Sequence, residues 1–159
     1  MEDSRLLQTL KKYPTLKVLF GKDWFLNGLS EKEENRHVLI NLLLEEEPED
    51  EYVKKLFDDL KDSLKAGRIK DSISIDAKIS KLLYLSGLLR NLEIYLGKLK
   101  EVEGLNRLIN ELRETYDAIE FFHTVDKIEI ASSFLENFDG IEIETKVGLY
   151  KTDFKVKQR

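Results

Sequence analysis

Residues 128–156 read IEIASSFLENFDGIEIETKVGLYKTDFKV, and within them the spacing of apolar side chains changes from three and four to two. Ile128, Ala131, Phe134, Leu135 and Phe138 fall on one face of a helix predicted from about Lys127 to Phe138, which Asp139-Gly140 ends. From Gly140 onward Ile141 and Ile143 alternate with Glu142 and Glu144. After Val147-Gly148-Leu149, Tyr150, Thr152, Phe154 and Val156 alternate with Lys151, Asp153, Lys155 and Lys157. The pattern predicts helix, strand, short turn, strand, paired as an antiparallel hairpin with Ile141, Ile143, Phe154 and Val156 on its apolar face. Two strands alone are marginal in water, so that face is expected to pack on helices, on another chain or on further strands. The chain stops three residues after Val156. The reading is therefore of a hairpin either cut from a larger sheet or completed by a partner at its open edge, which the lysines of the second strand would blunt.

The 159 residues suffice for one domain with a core, and the balance of 42% apolar to 36% charged residues is that of a globular chain. A formal charge of -5 argues against a general electrostatic grip on nucleic acid or anionic lipid. With no signal-like opening and no apolar run of spanning length, the chain is expected to be cytoplasmic and off the membrane. Zero cysteines exclude disulfides, thiolate metal sites and thiol nucleophiles. Abundant Lys and Glu fit a thermophilic source.

Upstream, the sequence predicts helices throughout. Leu6, Leu7 and Leu10 follow a cap at Ser4 and stop before Pro14, which opens a second helix bearing Leu16, Val18, Leu19 and Phe20 and closed by Gly21. Trp24-Phe25-Leu26, three consecutive large apolar residues after a break, read as a core plug, with a docking patch as the alternative. Ser30-Glu31-Lys32-Glu33 has the form of a capping box and predicts a helix from there to Glu45. The acidic run Glu45 to Glu51, broken by Pro48, reads as a solvated corner. A helix with Tyr52, Val53, Leu56, Phe57, Leu60 and Leu64 ends at Ala66-Gly67, and Arg68 to Ser74 reads as a loop. A long central helix follows from about Asp76 through Leu89, Leu92 and Leu96, with Gly87 and Gly97 marking a close crossing or a kink. After Gly104, Leu105, Leu108, Ile109, Leu112, Tyr116 and Ile119 predict a helix to about Phe122, with a corner at Phe121-Phe122-His123-Thr124 where Thr124 caps the next helix. The fold class is thus mainly α: a helical domain of six or seven helices over residues 1–138, with a hairpin over 139–159.

Conventional catalytic constellations are absent. His37 and His123 are the only histidines. They lie outside any two-histidine helical zinc motif and read as surface or corner residues. Helix Lys127–Phe138, strand Ile141–Lys146 and strand Tyr150–Val156, with Lys151-Thr152-Asp153-Phe154-Lys155-Val156 on the last, resemble the opening of the PD-(D/E)XK, or restriction-endonuclease-like, nuclease fold. The resemblance covers about the last thirty residues. It implies that Asp153 is the metal-binding aspartate of the second strand and that Glu129 is the glutamate of the preceding helix. The third strand, with its acid and lysine, has no counterpart, so the implied Mg²⁺ site needs residues from elsewhere and no catalytic residue or resident cofactor is assigned. Plain alternation instead places Asp153 on the solvent face among Lys151, Lys155 and Lys157, and Glu142 and Glu144 opposite them.

Two functions follow from these readings. One is the N-terminal helical region of a nuclease-like protein with an inactive, incomplete catalytic part, for which nucleic acid is the substrate class. The other is a helical protein-interaction module that binds a protein partner, or forms a homodimer, through the C-terminal strand edge.

Overall fold

The computed structural model describes residues 2–46, 58, 62, 84, 87–143, 146–147, 150–151 and 154–157. The helix predicted over Tyr52–Gly67, apart from residues 58 and 62, the loop Arg68–Ser74, the start of the central helix near Asp76, the turn at Gly148 and Asp153 lie outside them. Within them the chain is mainly helical and closes with an antiparallel hairpin. The helices are α1 (Glu2–Thr9), α2 (Pro14–Phe20), α3 (Lys22–Leu29), a 3-10 turn (Glu33–Asn35), α4 (Val38–Glu45), α5 (87–99), α6 (Leu105–Glu114) and α7 (Ala118–Asn137). None of the helices described is long and apolar enough to cross a membrane.

The first three helices are short because their punctuation is dense. Pro14 fixes the first turn of α2, and Gly21, at φ +79°, ends α2 and admits α3 in the next residue. Trp24 to Leu26 are helical, with Phe25 buried and Trp24 half-buried in edge-on contact with it. Leu16 and Phe20 face inward as predicted, whereas Val18 is 78% exposed. A seven-residue helix has one buried stripe, and Val18 is on its far side.

Two boundaries differ from expectation. The capping-box reading starts a helix at Ser30, but Ser30 Oγ donates back to the Asn27 carbonyl at 2.6 Å and closes α3 instead. Helix α4 begins only at Val38, capped by His37. The predicted corner at Phe121–Thr124 lies inside the continuous helix α7, whose cap is Asp117: its Oδ1 accepts from the amides of Ile119 and Glu120 at 2.9 and 3.1 Å. Thr124 is tolerated within the helix because its hydroxyl donates to the Glu120 carbonyl and to Glu111. Tyr116 and Ile119, assigned by periodicity to the buried stripe, flank this break and are 58% and 67% exposed.

Glu46 also departs from the solvated corner predicted for the acidic run. It is buried, and its Oε1 accepts the Tyr13 hydroxyl at 2.7 Å and Lys12 Nζ at 3.5 Å. The link joins the end of α4 to the turn after α1. The remaining residues of that run, 47–51, lie outside the described ones.

The core is one cluster. Leu6 and Leu10, Leu16 and Phe20, Phe25, Leu39, Ile40 and Leu43 meet Leu89, Leu92, Leu96 and Leu99 of α5, Leu105 to Leu112 of α6, and Phe121, Val125, Ile128 and Ala131 of α7. The short helix α2 is gripped at both ends by charge. At its N-terminus Glu93 from α5 accepts the free amides of Thr15 and Leu16 at 2.6 and 2.9 Å. At its C-terminus Arg113 from α6 donates to the carbonyls of Leu19 and Phe20 at 2.6 and 2.8 Å, with its guanidinium 5.6 Å over the Phe20 ring. Anion at the start and cation at the end both oppose the helix dipole and satisfy groups the helix cannot pair itself. A Cβ added at Gly97 of α5 would meet the Thr15 hydroxyl only at ordinary contact distance, so the approach there does not demand glycine.

Candidate functional site

Four strands make the C-terminal hairpin: β1 (Gly140–Ile143), β2 (Lys146–Val147), β3 (Tyr150–Lys151) and β4 (Phe154–Lys157). β1 pairs antiparallel with β4, and β2 pairs antiparallel with β3 in the same register. Ile141 stands opposite Val156 and Ile143 opposite Phe154, so the four apolar residues predicted to share a face do share it. That face packs on α7. Ile141 and Ile143 belong to the common core, and Phe154 meets Phe134 edge-on with ring centroids 5.8 Å apart. Beyond this the hairpin is tied to the turn before α6, because the Ile143 amide donates to the Glu103 carbonyl at 3.0 Å. Gly104 makes that approach possible: its φ of +90° and the Ile143 carbonyl against it leave no room for a Cβ.

The opposite face is charged. Glu142 faces Lys155, whose Nζ donates to Oε2 at 3.3 Å, and Lys157 reaches Oε1 at 3.5 Å. The hydrogen bond and charge of Lys155, then Lys157, hold the Glu142 carboxyl below its ordinary value of 4.5. Two ammonium groups thus share one carboxylate at the outer strand. These pairs are exposed and solvent-screened, so they add little to stability.

Of the residues implied by the nuclease resemblance, Asp153 lies outside the described residues. Glu129 is exposed on α7, where its Oε1 accepts the Tyr95 hydroxyl at 3.3 Å. Loss of solvent around the Tyr95 hydroxyl, and then the Glu129 charge, raise that phenol above its ordinary value of 10.0. Among the described residues no three His, Asp or Glu side chains converge as a metal would require. Lys98 and Glu136 continue the same polar seam between α5 and α7 as an ion pair.

Sequence reasoning missed three residues that organise the molecule: His37, Glu93 and Arg113. Glu93 and Arg113 carry no sequence signal, since their partners are backbone groups of α2 that lie far away along the chain. His37, expected at the surface or a corner, is buried at 1% exposure. It immediately precedes an apolar helical run, and that position was a usable signal for a cap. No protein-family model, no curated protein and no solved structure matches this chain.

Proposed function

We propose that this chain is a helical protein-interaction module whose C-terminal hairpin receives an extended segment of another protein along the outer edge of β4. The observation that supports it is the pairing of β4 with β1 alone among the described residues, while Val156, 37% exposed, and two lysines line the strand. Because the Ile143 amide turns away from β4 to Glu103, Ile143 and Phe154 form a pair without mutual hydrogen bonds. Strict alternation makes Ile141–Val156 the same kind of pair, so the Val156 amide and carbonyl face outward, ready for an added strand.

Charge selects the occupant. In an antiparallel pairing of β4 with a second copy, registers that bring Phe154 opposite Val156, or Val156 opposite itself, set Lys155 against its own copy or against Lys157. Like charges directly opposite are unfavourable. A segment alternating acidic and apolar residues places carboxylates against the lysines instead. The test is titration of the full chain with a synthetic Glu/Val-alternating peptide and its Lys/Val counterpart, read by amide shifts. Binding of the acidic peptide alone, with movement at Val156 and weakening in salt, supports the reading. Binding of neither peptide, or a concentration-dependent dimer in light scattering that Val156→Pro abolishes, would overturn it, the dimer in favour of self-association.

A nuclease-like arrangement is the second reading, favoured by the order α7, β1, β4 with Glu129 on the helix. It requires Mg²⁺ binding that Asp153→Asn and Glu129→Gln both diminish in calorimetry.

A further inference from the structure

His37 joins three parts of the fold through a ring whose protonation state is fixed by its partners. Its Nε2 lies 2.7 Å from the Leu112 carbonyl in the last turn of α6. A carbonyl only accepts, so Nε2 carries the hydrogen and Nδ1 keeps its lone pair. That lone pair accepts the Leu39 amide at 3.1 Å and caps α4. The ring edge is enclosed by Trp24 of α3 at 4.9 Å, Tyr116 of the α6–α7 link at 5.2 Å and Phe121 of α7 at 5.9 Å, each nearly perpendicular to it.

We propose that His37 is a proton-operated latch between α4 and the α6–α7 corner: a proton added at Nδ1 turns the acceptor that caps α4 into a donor facing another donor, and the ring relieves that clash by turning out toward water, which gives up its bond to the Leu112 carbonyl and releases the corner. Among the described residues no carboxylate bonds to the ring, so an imidazolium buried against three aromatic side chains would lack a counter-charge. Among the described residues Trp24 and Phe121 are neutral, Tyr116 is the one titratable group in ring contact, and what acts on His37 is burial together with the Leu112 and Thr115 backbone. Burial dominates and holds the imidazole below its ordinary value of 6.5. The contribution of the latch is therefore complete above the unfolded-state value and lost as pH falls through the lower folded-state value. Opening loosens α3 and α4 from α6 and α7 and exposes the ring of Trp24.

The molecule supplies its own reporter, since Trp24 is the only tryptophan, and His123, the only other histidine, is exposed. Imidazole ¹⁵N shifts of the full chain are expected to give the Nε2–H tautomer for His37 at neutral pH. On acidification, protonation of His37 and a red shift of Trp24 emission should share one midpoint, below that of a free imidazole. His37→Asn retains a capping oxygen yet cannot take up a proton, and it should remove the emission step, while His123→Gln should leave it in place. An Nδ1–H tautomer, protonation of His37 with unchanged emission, or an emission step that persists in His37→Asn would each overturn the latch. Should His37→Asn not fold, the shared midpoint in the native chain decides.

Discussion

The Ile143 amide donates to the carbonyl of Glu103 at 3.0 Å, binding strand β1 to the turn that launches α6. This bond, made from the side of β1 away from β4, gives the hairpin a place in the helical core.

Gly104→Ala tests the contact. A Cβ there meets the Ile143 carbonyl, which as backbone cannot rotate aside, and the left-handed φ adds strain. The expected loss is roughly 1–3 kcal/mol in chemical denaturation, the usual range for a residue held in such a conformation. Gly87→Ala, with nothing within 4 Å of a new Cβ, is the control and should gain up to about 1 kcal/mol.

Ile143→Ala and Val156→Ala separate the two sides of the hairpin. Ile143 is buried in the common core, so its truncation is expected to cost about 2–5 kcal/mol. Val156, 37% exposed, should change stability by no more than about 0.5 kcal/mol. Equal effects in urea melts would mean that the hairpin is not packed as described.

Glu93→Ala leaves the Thr15 and Leu16 amides without their acceptor, at an expected cost of about 1–3 kcal/mol, and Glu93→Gln should cost less because one oxygen remains. Arg113→Met should act similarly at the other end of α2. Since both hold the same seven-residue helix, the double variant is expected to lose less than the sum, by about 0.5 kcal/mol or more in a double-mutant cycle. Strict additivity would show that α2 does not transmit between its ends.

Glu142 governs the acid behaviour of the hairpin. Its carboxyl is depressed by Lys155 and Lys157, so its contribution is present above the ordinary value of 4.5 and lost as pH falls through the lower folded value. Carboxyl ¹³C titration should give that midpoint below 4.5, and Glu142→Gln should make the β1–β4 amide shifts independent of pH in this range.

Much of this architecture is legible in one dimension. Periodicity marks the buried faces of α5, α6 and the hairpin, since residues three and four apart, or two apart, share a face whatever surrounds them. The alternation from Gly140 places Ile141, Ile143, Phe154 and Val156 on one face, because the side-chain period is two; that Ile141 stands opposite Val156 and Ile143 opposite Phe154 is a register only the folded hairpin shows. Helix ends were less legible. Ser30 and Thr124 have capping chemistry, yet each uses its hydroxyl on a carbonyl behind it, while Asp117 and His37 supply the actual caps. Local sequence offers both choices, and the packing of neighbouring turns selects one.

The sequence by itself determined the mainly helical class, the terminal hairpin and the separation of its apolar and charged faces. Tertiary structure alone decided that Glu93 and Arg113 would hold the two ends of α2, that His37 would be buried between Leu39 and Leu112, and that Gly104 would lie against Ile143. The physical reason is the same in each case. Periodicity is a property of neighbours along the chain, whereas a carboxylate, a guanidinium or an imidazole acquires its role from backbone donors and acceptors that only folding brings to it.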